Sequence, residues 1–183
     1  FRSLPKLQFL DLSNTKIISL PFLRENAELM HLSAIGCQKM SRLPSIKSLS
    51  KLQVLDLSGA GIEEFQDRSF KKNARLKILD LSGTTVSCLP SNISACEIYL
   101  KGCSQVEKIN CVELPENLEV LDLSGASSLV EIDANFFEQT KNLRLLNLSR
   151  TKVKVLPPLS GIHSLQELLL SCCLDLVKLP ALN

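Results

Sequence analysis

Four aspartates recur in one setting along this chain. Asp11, Asp56, Asp80 and Asp122 each sit in the string Leu-Asp-Leu-Ser, and Asn147 takes the same place in Leu-Asn-Leu-Ser. Carboxylates held on neighbouring strands could share a proton or a cation, because two like charges at close range resist ionising together. That is the chemistry of a general acid–base pair or a cation site. A working pair needs a partner group, and no histidine or other general acid sits near the aspartates in the repeat frame. The serines that follow, Ser13, Ser58, Ser82, Ser124 and Ser149, offer a plainer use: they can hydrogen-bond the carboxylates and close a turn. Catalysis is therefore a poor expectation, and no catalytic, cofactor-binding or metal-binding residue is assigned.

The seven cysteines invite a second chemistry. Their number is odd, and three of them, Cys37, Cys103 and Cys173, share a position otherwise filled by Thr15, Thr84 and Thr151 or by Ala60 and Ala126. A position that accepts Thr, Cys and Ala asks for a small side chain at a sharp turn, where Thr or Cys can also reach a neighbouring carbonyl. Cysteine then acts as a small buried hydrophobe. Cys172-Cys173 lacks further ligands at the spacing a zinc site needs. Reduced, buried thiols without disulfides imply the cytosol.

What positions these residues is a repeat. The frame LxxLxLxx opens at Leu7, Leu29, Leu52, Leu76, Ala95, Leu118, Leu143 and Leu165, at intervals of 22, 23, 24, 19, 23, 25 and 22 residues. Those lengths fall in the range of leucine-rich repeats, roughly 20–29 residues. The fold class expected is an α/β-type solenoid: short parallel strands on the concave face, with irregular or short helical returns on the convex one. Side chains alternate along a strand, so Leu10 and Leu12 enter the core while Phe9 and Asp11 face outward.

The length variation lies in the returns. The 9-residue returns place Leu23, Ile46, Val112 and Leu159 inward, and the two 11-residue returns match Phe70 with Phe137, which suggests a short helical turn there. Leu-Pro closes five of the repeats, at Leu20-Pro21, Leu43-Pro44, Leu89-Pro90, Leu156-Pro157 and Leu179-Pro180. Proline cannot donate to a ladder, so the return side is expected to stay non-strand. Residues 1–183 read as one segment of about eight repeats, expected to be truncated at both ends from a larger protein because neither end carries a polar cap.

A solenoid usually works through the surface it displays, which makes protein binding the first expectation. The outward columns are the candidate site. The first holds Phe9, His31, Val54, Ile78, Glu97, Val120 and Leu145; the second holds Asp11, Asp56, Asp80, Tyr99, Asp122, Asn147 and Leu169; Ile35 and Lys101 stand in the third. Repeat five is irregular, with the shortest return and Glu97, Tyr99 and Lys101 where its neighbours carry Val, Asp and Ser. The basic set Arg68, Lys71, Lys72, Arg75 and Lys77 reads as a solvated rim. A net charge of +2 argues for neither nucleic acid nor an anionic membrane, and no apolar run approaches the roughly 18 residues of a membrane helix.

The texts LDLSNTKIISLP, LDLSGTTVSCLP, LSRTKVKVLP and LKGCSQVEKI resemble the repeats of plant intracellular immune receptors, the nucleotide-binding leucine-rich-repeat proteins. Two dialects of that family alternate here, a Thr form and a Cys form. The resemblance implies a cytoplasmic module that binds a pathogen effector, a host target, or the receptor's own nucleotide-binding domain, and that helps hold the receptor off. ADP or ATP is implied only for an upstream domain, since this chain has no GxxxxGK[ST] loop. The matching leucines are scaffold and carry no functional residue across. The alternative is a leucine-rich-repeat scaffold or regulatory subunit of a cytosolic complex outside immunity.

Overall fold

In the computed structural model the described residues are 4–20, 23–43, 45–65, 70–109, 114–135, 137–138, 140–159 and 162–180. Pro21, Pro44, Arg68, Cys111 and Val112 lie outside them. Each LxL segment becomes a short strand: β1 (Phe9–Asp11), β2 (His31–Ser33), β3 (Val54–Asp56), β4 (Ile78–Asp80), β5 (Glu97–Tyr99), β7 (Val120–Asp122), β9 (Leu145–Asn147) and β10 (Glu167–Leu169). All eight pair in parallel in the order β1-β2-β3-β4-β5-β7-β9-β10.

The register carries no slip. Leu10, Leu32, Leu55, Leu79, Ile98, Leu121, Leu146 and Leu168 lie opposite one another from strand to strand. A slip of one residue would turn every leucine to solvent, and the interior members, Leu32 through Leu146, have no exposed area at all. Repeat five keeps this register despite its short return: Ala95 is fully buried and Ile98 sits between Leu79 and Leu121.

A left-handed residue ends each strand's turn. It is Gly36, Gly59, Gly83, Gly102 and Gly125 in the interior repeats, and Asn14, Arg150 and Cys172 elsewhere, with φ between 58° and 73°. The amide of each residue from Asn14 to Arg150 donates to a carbonyl of the next repeat at 2.7–2.8 Å, as in Gly59 to Ser82 and Gly83 to Lys101. The turn therefore stitches layers together as well as reversing the chain.

The position shared by Thr, Cys and Ala behaves as its composition implies, with one addition. Thr84 Oγ1 donates to the Leu81 carbonyl at 2.7 Å, and Cys103 Sγ from the next repeat reaches the same oxygen at 3.1 Å. Thr15 and Cys37 share Leu12 in the same way, and Thr151 and Cys173 share Leu148. Burial pushes the Cys103 thiol up, which keeps it protonated as a donor. The six described cysteines are free, and only Cys37 and Cys103 are fully buried. Of the three at the turn position, Cys37 and Cys103 are buried and Cys173, in the last repeat, is half-buried; elsewhere Cys96 is half-buried, and Cys88 and Cys172 are exposed.

The convex side departs from expectation twice. No helix occurs among the described residues. Phe70 and Phe137 are inward as their spacing requires, each 2% exposed. Around Phe137, however, the chain turns in separate steps, with Glu138 N–H donating to Asn135 and Thr140 N–H to Phe137. The second departure is a small parallel sheet, β6 (Lys108–Ile109) with β8 (Glu131–Ile132). It forms between two consecutive repeats that lack Leu-Pro. Asp133 stands where the proline would be, and its N–H donates to the Ile109 carbonyl at 2.9 Å; a proline there could make no such bond. Lys108 and Glu131 close the pair with an exposed ion contact of 2.8 Å, a minor contribution.

Two buried amides complete the descending side, and sequence reading did not single them out. Asn73 is fully buried and donates to the carbonyls of Ile46 and Leu49 at 3.0 and 2.9 Å. Asn26 does the same for Leu4 at 2.9 Å. Their signal was a polar residue three places before an opener, where Leu4, Leu49 and Ile162 stand in other repeats.

Candidate functional site

The sheet's outward face is built by alternation, so its columns are the ones read from the sequence. On β3 and β4 the burial pattern is half-exposed, buried, half-exposed, which sets Val54, Asp56, Ile78 and Asp80 on the open side. β5 shows the same pattern for Glu97 and Tyr99, and β9 for Leu145 and Asn147. Phe9 is 57% exposed, and Ile35 and Leu169 are each 38% exposed. Lys101 is exposed in the turn beyond β5. Of the sixteen candidates one is corrected: Asp122 is 8% exposed. Tyr99 lies opposite it on one side and Asn147 on the other; the ring and the Asn147 amide, which donates to Asp122 Oδ2 at 3.3 Å, cover the carboxylate. Val120, two residues before it, stays half-exposed.

The aspartates are primarily turn caps. Each accepts the backbone N–H two residues on, Ser13 from Asp11 at 2.9 Å, Ser58 from Asp56 at 3.0 Å, Ser82 from Asp80 at 2.8 Å and Ser124 from Asp122 at 2.8 Å. Asn147 caps Ser149 identically at 3.0 Å, so the amide oxygen does the same work as the carboxylate. The bond runs to the serine backbone, and the hydroxyl joins it at Ser58, 2.8 Å from Asp56. Asp11 is held below the ordinary carboxylate range by the Ser13 hydroxyl and backbone N–H, with His31 adding attraction. His31 therefore does lie near one aspartate, contrary to the sequence expectation. Its ring stacks on Phe9 at 4.4 Å between centroids. Among the described residues no group of three or more His, Cys, Asp or Glu is placed to hold a metal ion.

Repeat five is where the face changes character. Tyr99 lies in the aspartate column between Asp80 and Asp122, and its hydroxyl donates to Glu97 Oε2 at 2.7 Å. The phenol is pushed up to about 12, first by burial, then by the bond to Glu97, with the charges of Glu97, Asp80 and Asp122 acting in the same direction. Tyr99 is the sole tyrosine and the chain has no Trp, so its ionisation can be followed alone by ultraviolet absorbance. The expected midpoint is near 12, falling toward the ordinary value, about 10, in Glu97→Gln. Because the folded-state value is the higher one, this group's contribution to stability is present below about pH 10 and lost as pH rises toward 12. A native midpoint near 10 would show that neither the burial of Tyr99 nor its bond to Glu97 persists in solution.

The match to known proteins runs along the same frame. The leucine rich repeat family model matches residues 116–174. A probable disease resistance protein of Arabidopsis thaliana, At5g45510, is 39% identical over 91% of this chain and 15% of its own length. A putative disease resistance protein of the same plant, At4g19050, is 34% identical over the whole of this chain and 16% of its own. The chain is a leucine-rich-repeat segment related to plant disease resistance proteins. It thus spans about a sixth or less of the length of these relatives. In shape, the repeat segment resembles the chain in the TLR13–ssRNA13 complex, with a TM-score of 0.66 at 24% identity, covering 97% of this chain and 33% of that one; this likeness is one of fold. No helix of the described residues is long and apolar enough to cross a membrane.

Proposed function

We propose that this repeat segment is the protein-binding module of an intracellular plant immune receptor, and that its concave face contributes to recognising a pathogen effector or host target and to holding the receptor inactive. Its relatedness to plant disease resistance proteins supports the immune role. The observation that carries the concave face is local. At repeat five two outward columns change together, with Tyr99 replacing an Asp at the end of β5 and Lys101 replacing a Ser in the turn that follows. Core packing does not require either change, because Ile98 and Leu100 fill the inward positions as leucine does elsewhere. A half-buried aromatic ring fixed by Glu97, beside an exposed lysine, is an anchor with charges of both signs around it. A non-enzymatic role is the reading the site chemistry supports, since the aspartates are occupied as turn caps.

The test is substitution in the receptor. Tyr99→Ala and Lys101→Glu should weaken partner binding about tenfold or more, or release signalling without a ligand, with little loss of fold. Lys71→Glu and Lys72→Glu, exposed on the return side, should do much less. Equal effects from both pairs, or none from either, measured on protein of unchanged stability, would remove the concave face from recognition.

A further inference from the structure

The outward face of the sheet is divided by polarity along the arc, and the division has a chemical complement. In the first column Val54 and Ile78 stand side by side, as do Val120 and Leu145. Two residues further along each strand, roughly 6.6 Å away, Asp56 and Asp80 stand side by side with Asp122 beyond. Counting all three outward columns, the acids are Asp11, Asp56, Asp80, Glu97, Asp122 and Glu167, while Lys101 is the lone Lys or Arg. The chain as a whole carries a net charge of +2. Its positive charge is therefore displaced to the returns and rims, and the open sheet is negative. The phenol of Tyr99 stands among these acids, its proton held first by burial and by the bond to Glu97, with the charges of Glu97, Asp80 and Asp122 adding to both.

Asp56 and Asp80 each keep one carboxylate oxygen open, whereas Asp122 is nearly buried and its Oδ2 accepts from Asn147 at 3.3 Å. The turn bonds of Asp56 and Asp80 occupy Oδ1; among the described residues Oδ2 of Asp56 and of Asp80 has no hydrogen-bond partner. Repeat five inverts the two columns, placing the acid Glu97 in the apolar one and the ring of Tyr99 in the acidic one. Such an inversion gives a partner one register rather than several.

We propose that the open sheet takes a cationic amphipathic α-helix of a protein partner, lying along the arc and across the strands, with its apolar stripe on the Val54–Ile78 side and its lysines or arginines on the Asp56–Asp80 side. The periods agree. A helix advances about 5.4 Å per turn and the strands are about 4.7–4.9 Å apart, so residues one turn apart meet successive strands. An extended peptide crossing the strands advances roughly 3.3 Å per residue and turns alternate side chains away, so it cannot keep one apolar and one cationic row in contact. This rests on the concave-face reading and adds the partner's chemistry to it.

The test uses the intact chain and three synthetic probes: a side-chain-bridged Leu/Lys/Ala helix with leucines in one stripe and lysines flanking it, its scrambled isomer, and the same helix with glutamate for lysine. Fluorescence anisotropy should show the first binding about tenfold more tightly than either control. Asp56→Asn with Asp80→Asn should weaken it about tenfold at low salt, with the difference shrinking as salt screens the face. These substitutions spare the turn, because Asn147 already caps one in this chain. Equal binding of the scrambled or glutamate probe, or no effect of the double substitution, overturns the proposal. If that happens while Tyr99→Ala and Lys101→Glu still impair the receptor's recognition, the concave face stands and only the helix is wrong. If probe binding is instead lost on Lys71→Glu with Lys72→Glu, both readings fail together.

Discussion

Leu79→Ala should cost about 2–5 kcal/mol of folding stability, the range for emptying a buried leucine site. Leu79 lies mid-sheet between Leu55 and Ile98 and has no exposed area. Solenoid stability is close to a sum over layers and the interfaces between them, so a cavity at a central layer weakens its contacts to both neighbours. Leu121→Ala, equally buried between Ile98 and Leu146, should behave alike. Val155→Ala should cost clearly less, because that side chain is 60% exposed. Chemical denaturation of the three variants checks the ordering. A cost at Val155 equal to that at Leu79 would mean that the stack does not distribute its core as the burial shows.

The other large effect is expected at a residue with no unusual backbone angle. A Cβ added at Gly61 would lie 2.2 Å from the backbone carbonyl oxygen of Gln38 and 3.1 Å from its carbon. Main chain cannot rotate aside as a side chain can, so Gly61→Ala must push repeats two and three apart. Overpacking of this kind costs about 1–3 kcal/mol or more. Gly102→Ala makes the control. Its added Cβ would meet nothing within 4 Å, and its only difficulty is a φ of 71°, a strain of about 1–2 kcal/mol. The two should also differ in kind, with only Gly61→Ala increasing amide exchange at Gly61, whose N–H donates to Cys37. Unchanged protection there would contradict the close approach of the two layers.

The sequence by itself determined the frame. An outward residue between two inward leucines leaves one register for a parallel stack, and Leu32, Leu55, Leu79 and Leu121 fall on that register with no exposed area. The Thr, Cys and Ala column was equally legible, because a tight buried turn limits size before it limits chemistry. The candidate face was legible in outline for the same reason, since alternation assigns a side to every residue in a strand.

What alternation cannot assign is how far each outward residue is covered, because that depends on which side chain stands on the next strand. Asp122 was read as open and is nearly buried because Tyr99 and Asn147 flank it, while Asp56, between Ser33 and Asp80, stays half-exposed. The same holds across layers. The sharing of one carbonyl by Thr84 and Cys103, the clearance at Gly61, and the bond from Asp133 to Ile109 join residues 19 or more positions apart. Local propensity carries no information about these distances, and only the stacking of one repeat on the next decided them.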